Sequence, residues 1–244
     1  MPPAFITGAS RGIGKATARL LWEDGFDVVI GCHSRMDLAE AFAQELNTLR
    51  PHSALAVCGD VGNVSDVERM FCEIEAHFSP VEILVNNAAI AQQKLFTDLT
   101  NDDWHRMFSV SVDGMFYCCR RAVPAMIRAQ KGSIVNLSSM WGMVGGSCEV
   151  HYSAAKGAII AFTKALAAEL GPSNIRVHCV APGVLDTAMH AALAADHRRA
   201  LAEETPLCRI GTATEAAQAV RFLCSERASF ITGQVLAPNG GIFR

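Results

Sequence analysis

What the 244-residue sequence does not contain narrows its chemistry before any motif is read. It has no C-x-x-C pair and no H-E-x-x-H, and its eight histidines do not cluster, so no metal site is expected. No unbroken apolar run reaches bilayer-spanning length, which argues against a membrane helix. The opening "MPPAFITGAS" lacks the charged-then-apolar design of a secretory signal and reads as a short strand entering a glycine turn. Basic charge is not in excess either. Lysine and arginine number 21 against 24 acidic residues, and the net charge of −3 gives no reason to expect nucleic acid or anionic membrane as a partner. Tyrosine is scarce, with two copies.

What is abundant is apolar. Half the residues are hydrophobic and 18% are charged, a mix that supports a large buried core. The nine cysteines are odd in number, scattered, and embedded in segments such as "FYCCRRAV" and "VHCVAPG". That pattern points to buried thiols in a reducing cytoplasm rather than to disulfides.

Short β-rich runs alternate with helical patterns along the whole chain. "AFIT" (4–7), "DVVIGC" (27–32), "ALAVCGD" (54–60), "EILVNNA" (82–88), "GSIVNLSS" (132–139) and "RVHCVAPG" (176–183) read as strands, and "QVLAPNG" (234–240) as a seventh. Segments 14–24, 37–49, 64–78, 102–130 and 152–170 carry helical spacing or strong helix formers. Strands that are apolar throughout require cover on both faces, so the expected fold is α/β: one Rossmann-type, doubly wound parallel sheet of about seven strands. Residues 1–244 are expected to form a single domain. Its segment 184–210, with small residues, His190 and His197, could be a helical lid over the substrate.

"TGASRGIG" (7–14) follows the first strand and opens the first helix. Its cofactor-binding candidates are Gly8, Ser10, Arg11, Gly12, Ile13 and Gly14. The glycines let the backbone approach a pyrophosphate, and the helix N-terminus offers free N–H groups and a positive dipole. An NAD site usually ends the second strand with a carboxylate that grips the ribose hydroxyls. Here that end reads Cys32, His33, Ser34, Arg35. A 2′-phosphate favours positive charge and hydrogen-bond donors at this place, so NADP(H) is expected, held by Arg11 and one or more of His33, Ser34 and Arg35. The alternative is that Arg11 and Arg35 are solvated surface cations.

One tyrosine has a particular neighbour. Tyr152 and Lys156 in "YSAAK" lie one helical turn apart and project from the same face. The pair is either surface chemistry of no consequence or a tuned proton donor. Tyr117 has no lysine at i+4 and is expected to pack between helices.

Together "TGASRGIG", "NNAA" (86–89), "SS" (138–139), "YSAAK" (152–156) and "APGVLDT" (181–187) resemble the short-chain dehydrogenase/reductase family in order and spacing over essentially the whole chain. The resemblance implies an oxidoreductase that reduces a ketone to an alcohol by hydride transfer. Tyr152 would be the proton donor, Ser139 would hydrogen-bond the substrate oxygen, and Lys156 would hold the nicotinamide ribose. Asp60 and Val61 would flank the adenine, and Asn86, Asn87 and Ala88 would line the cofactor cleft. Pro182, Gly183, Val184 and Thr187 would meet the nicotinamide end. A free phenol has a pKa near 10, and a cation within ~4–6 Å lowers an acid by roughly 1–3 units, so Lys156 is expected to lower Tyr152. Assembly as a homotetramer or homodimer is also implied, through the helices around 102–130 and 152–170 and the C-terminal strand.

Two positions depart from the family. Ala89 stands where glycine is common, and Ser111 matches the helix asparagine that positions a proton-relay water. A serine can hold a water or back-bond to its own helix, so a relay through Ser111 would be altered. These departures are the only support for a different class, a nucleotide-binding regulator without turnover.

By overall pattern the chain is similar to 3-oxoacyl-acyl-carrier-protein reductases, although the two arginines expected to dock the acidic carrier fall on Gln130 and Ser173; Arg128 and Lys131 are near and could substitute. More narrowly, "SSMWG", "CEVHYSAAKGA", "PLCRIG" and "FITGQ" resemble reductases of a 5-aminopentanone group on a lysine of bacterial elongation factor P. Such a substrate carries an ammonium, which Glu149 could pair; equally, Glu149 is an acid favoured near a helix start by about 0.3–1 kcal/mol. Trp141 could wall the substrate or fill the core. The elongation-factor substrate is the first expectation and the thioester the alternative.

Overall fold

Each apolar run becomes a strand because it can be buried on both faces, and each amphipathic segment becomes the helix that buries it. A computed structural model describes residues 2–186 and 195–243 of the chain. In chain order β1 (Pro3–Ile6), α1 (Gly12–Glu23), β2 (Asp27–Cys32), α2 (Met36–Leu49), β3 (Ala54–Cys58), α3 (Val64–His77) and β4 (Ile83–Asn86) form the first half. There follow α4 (Asn101–Phe108), α5 (Gly114–Ala129), β5 (Gly132–Leu137), α6 (Met140–Val144), α7 (Val150–Leu170) and β6 (Ile175–Val180). The last third holds a two-strand ribbon, β7 (Leu185–Asp186) with β8 (Gly211–Thr212), separated in sequence by α8 (Ala195–Glu204), then α9 (Ala213–Cys224) and β9 (Val235–Leu236).

The main sheet runs β3-β2-β1-β4-β5-β6-β9, parallel throughout. Strand order therefore reverses between β1 and β4, the place where an open α/β sheet leaves a crevice at its carboxyl edge. The two faces bury separate cores by strict alternation. Phe5, Val29 and Leu84 point to the α3, α5 and α7 side, where Phe5 meets Phe71 edge-on at 5.4 Å. Ala4, Ile6, Val28, Ile30 and Val85 point to the α1, α2 and α9 side, against Leu21, Phe42 and Val220. Full burial of side chains such as Phe5, Phe71 and Ile30 stabilises the fold by about 1.5–3 kcal/mol each.

Two expectations need correction. The span 102–130 is not one helix: Ser109–Asp113 forms a π-turn between α4 and α5, with Ser111 at its centre. The last strand is two residues long rather than seven, because Pro238 cannot donate to a ladder. In 184–210 the described residues give β7 and α8; Thr187 and His190 lie outside the described residues, as does the side chain of His197.

Candidate active site

The carboxyl ends of six strands open onto one cleft of about 1030 Å³. Gly8, Ser10, Arg11, Gly12 and Ile13 line it after β1, and His33, Ser34 and Arg35 after β2. Asp60 and Val61 follow β3, Asn87 and Ala88 follow β4, and Pro182, Gly183 and Val184 follow β6. These expected positions thus meet in one place. Gly14 does not reach the cleft. A Cβ there would stand 2.6 Å from the Gly8 carbonyl oxygen and 2.6 Å from Asn87 Nδ2, so its glycine serves close packing beneath the turn. Asn86 also lies below the cleft, donating to Asn136 Oδ1 at 2.8 Å. Asn87 ties the turn down: its Nδ2 donates to the carbonyls of Thr7 at 2.8 Å and Gly8 at 3.0 Å. Thr7 returns the contact, its Oγ1 accepting from the amides of Asn87 and Ala88.

The turn fits a dinucleotide phosphate. α1 has no side chain capping its N-terminus and no acidic residue in its first turn, whereas α3, α4 and α9 are each capped by a side chain. Its first amides are left for an anion. Around this turn the charges divide unequally. Arg35 is held by Asp37 through two bonds of 2.9 and 2.7 Å, while Arg11 is exposed and has no ion-pair partner among the described residues. Asp60 accepts from Arg106 Nη1 at 2.7 Å and from the Gly62 amide, with His33 at 3.9 Å. Burial pushes the Asp60 carboxyl up, but those contacts outweigh it and hold it below its ordinary value.

At the β5 end Ser139 starts α6, its Oγ accepting from the Trp141 amide at 3.2 Å. Helix α7 brings Tyr152 and Lys156 to the same wall, and all three, with Trp141 and Glu149, line the cleft. Lys156 Nζ donates to the Leu137 carbonyl at 2.8 Å and lies 5.6 Å from the centre of the Tyr152 ring. Ser111 is not among them. It borders a separate cavity of about 10 Å³, the space of about one water, together with Thr7, Asn86 and Leu137.

The family model described as Enoyl-(Acyl carrier protein) reductase matches residues 8–242. The chain is 35% identical to the 3-oxoacyl-[acyl-carrier-protein] reductase FabG of Staphylococcus aureus (strain MW2), over 98% of this chain and 97% of that one. The enzyme of the same name from Aquifex aeolicus is 39% identical, over 98% and 96%, and an uncharacterized oxidoreductase, YmfI, of Bacillus subtilis is 37% identical, over 98% and 97%. A crystal structure from Brucella melitensis, titled as a short-chain dehydrogenase/reductase of the glucose/ribitol dehydrogenase type, superposes with a TM-score of 0.92 at 36% identity, covering 100% of this chain and 97% of that one. The chain is a short-chain dehydrogenase/reductase.

This short-chain reductase differs from the electrostatic expectation in one respect. Tyr152 is pushed up to about 12, first by burial and further by Glu149, with the Ser139 hydroxyl pulling it back. Lys156 does not lower it. Burial pulls the ammonium itself down to about 8, and one of its three N–H groups donates to the Leu137 carbonyl. The phenol therefore stays protonated at neutral pH, the state a proton donor requires. Sequence reasoning missed Thr7, Gln92, Gln93 and Arg106, all of which line the cleft. They bond to Asn87, His151, Glu149 and Asp60, each tens of residues away in the chain, so no local spacing marked them.

Proposed function

We propose that this enzyme reduces a ketone to an alcohol at the expense of NADPH. The observation that carries the reading is that Ser139, Tyr152 and Lys156 stand on one wall of the cleft whose other end holds an uncapped helix N-terminus and an Arg11 with no ion-pair partner among the described residues. When bound, the reduced nicotinamide supplies a hydride to the carbonyl carbon. Tyr152 gives its proton to the oxygen, and Ser139 donates a hydrogen bond to that oxygen as charge develops on it. Lys156 offers its ammonium to the nicotinamide ribose, and Asn87 keeps the phosphate turn in place. Arg11 grips the 2′-phosphate, with His33, Ser34 and Arg35 around it; Arg35 must share its guanidinium with Asp37. Arg11→Ala should weaken NADPH about tenfold and leave NADH unchanged, roughly one charge-assisted contact. Equal loss for both cofactors would refute it. Leu201 of α8 lines the cleft, which supports a helical lid.

For the ketone, the relatives at 35–39% identity favour a 3-oxoacyl thioester, ahead of the sequence expectation. Gln130 and Ser173 sit on turns joined by Asn174, whose Nδ2 donates to the Gln130 carbonyl, and a carrier would meet Arg128 beside them; Lys131 is engaged by Glu82. One observation keeps a second reading: Glu149 lines the cleft and is close enough to Tyr152 to raise it, where it would pair the ammonium of a protein-attached aminopentanone. Turnover of acetoacetyl thioester that is indifferent to Glu149→Gln supports the first. Turnover only of aminopentanone-modified elongation factor, lost with Glu149→Gln, supports the second. NADPH binding with no oxidation across both would show a regulator. The buried thiols Cys118, Cys119, Cys179 and Cys224 support a reducing, cytoplasmic setting, and the exposed Phe116 and Leu236 support a homodimer or homotetramer.

A further inference from the structure

One fully buried side chain beside the phenol has no part in the chemistry above. His151 lies in the first turn of α7, immediately before Tyr152, and none of its surface meets solvent. Its Nε2 stands 3.0 Å from Gln92 Oε1. The direction of that bond is set at its far end. Gln92 Nε2 donates to Asp103 Oδ1 at 2.9 Å, so the amide turns its oxygen to the imidazole, and an oxygen can only accept. His151 therefore donates through Nε2, and its Nδ1 has no partner among the described residues.

Asp103 does more than receive Gln92. It closes the capping box of α4 by accepting from the Thr100 amide at 2.9 Å, and it takes the Lys94 ammonium at 2.6 Å. The Lys94 contact comes first among those holding its carboxyl far below the usual range. The next two links run to the start of α7. Gln93 Nε2 donates to Glu149 Oε1 at 3.0 Å, and the Lys94 amide donates to the Cys148 carbonyl at 2.8 Å. The stretch Ala89–Gln93 lines the cleft across from Ser139 and Trp141. It has no helix or strand of its own, so its position rests on these contacts and on Ile90, which packs against the core. Of them, only the histidine contact is sealed from water at the α7 end.

We propose that His151 is a positioning residue for the ketone: its Nε2–H fixes Gln92, and with it the substrate-facing stretch 89–93, relative to the helix that carries Tyr152. The proposal rests on the ketone-reducing reading of the cleft. A half-buried acceptor that loses its donor must turn to water or move, and here the movable partner is the loop.

The test pairs His151→Leu, which keeps the volume and removes the donor, with His151→Gln, whose Nε2 reaches about as far as the imidazole Nε2. With acetoacetyl thioester as probe, His151→Leu should raise KM about tenfold, the worth of roughly one buried hydrogen bond, while kcat changes less than about twofold. The dissociation constant of NADPH should not change, and hydrogen exchange at residues 90–95 should quicken about tenfold. His151→Gln should restore both KM and exchange most of the way. An unchanged KM, a Gln variant as impaired as Leu, or faster exchange spread over the whole chain would overturn the proposal and assign His151 to packing alone. A wild-type enzyme that oxidises no NADPH with thioester or aminopentanone ketone is a separate result, and sinks the reductase reading first.

Discussion

Two glycines in the turn that leads from β1 into α1, Gly12 and Gly14, should fail in opposite ways when given a methyl group. At Gly14 a Cβ would lie 2.6 Å from Asn87 Nδ2, 2.6 Å from the Gly8 carbonyl oxygen and 2.9 Å from the Ala9 Cα. Two of those neighbours are backbone and cannot swing aside. Overpacking of this kind costs about 1–3 kcal/mol, and displacing Asn87 from its two carbonyls adds about 1–2 kcal/mol. For a chain of this size each kcal/mol moves Tm by about 2–4 °C, so Gly14→Ala should melt about 4–20 °C lower. Gly12 has φ of +57° with nothing within 4 Å of its Cβ, and it lines the cleft. There the backbone strain is about 1–2 kcal/mol, and the methyl group would occupy space that a pyrophosphate needs. Thermal unfolding and NADPH titration of both variants separate the two roles. Gly12→Ala should lose more affinity than stability, and Gly14→Ala the reverse. A Gly14→Ala protein melting within about 1 °C of wild type, or less stable Gly12→Ala than Gly14→Ala, would refute the packing argument.

Two predictions concern pH. Lys156 sits at about 8, so the ammonium offered to the nicotinamide ribose is present below that value and lost as pH rises through it; kcat/KM for reduction should fall above about pH 8, and Lys156→Arg should move that limb upward. A rate that stays flat to pH 10 would contradict it. His178 is buried and lowered to about 4, first by burial and then by the Arg176 guanidinium, against 6.5 when unfolded. The unfolded chain therefore binds the extra proton between those values, so this histidine's contribution is whole above about pH 6.5 and is lost as pH falls toward 4. The difference is about 3 kcal/mol, and urea unfolding of His178→Asn should show a shallower loss of stability over that range.

The fold was legible because its signal is local. In "DVVIGC" every residue after Asp27 lacks charge and is buried, and only a parallel sheet covered on both faces buries them all. The turn residues after those strands were legible for the same reason, since the strand ends place them. What local patterns could not show is how distant segments meet. The π-turn at Ser109–Asp113 sits inside a stretch whose apolar spacing continues on both sides, so 102–130 reads as one helix. The contact of His151 with Gln92 crosses 59 positions, and that of Arg106 with Asp60 crosses 46. The phenol's environment was misjudged because spacing alone gives the distance to Lys156 but not the burial, which outweighs it.

The central claim is that the Tyr152 phenol delivers the proton while the rest of the cleft only binds and orients. The direct measurement is single-turnover oxidation of NADPH by Tyr152→Phe with a ketone the wild type reduces, alongside NADPH titration of the same variant. Loss of general acid catalysis predicts a fall of roughly 10²–10⁴-fold in the rate with NADPH affinity unchanged. A variant that turns over within about threefold of wild type would contradict the account.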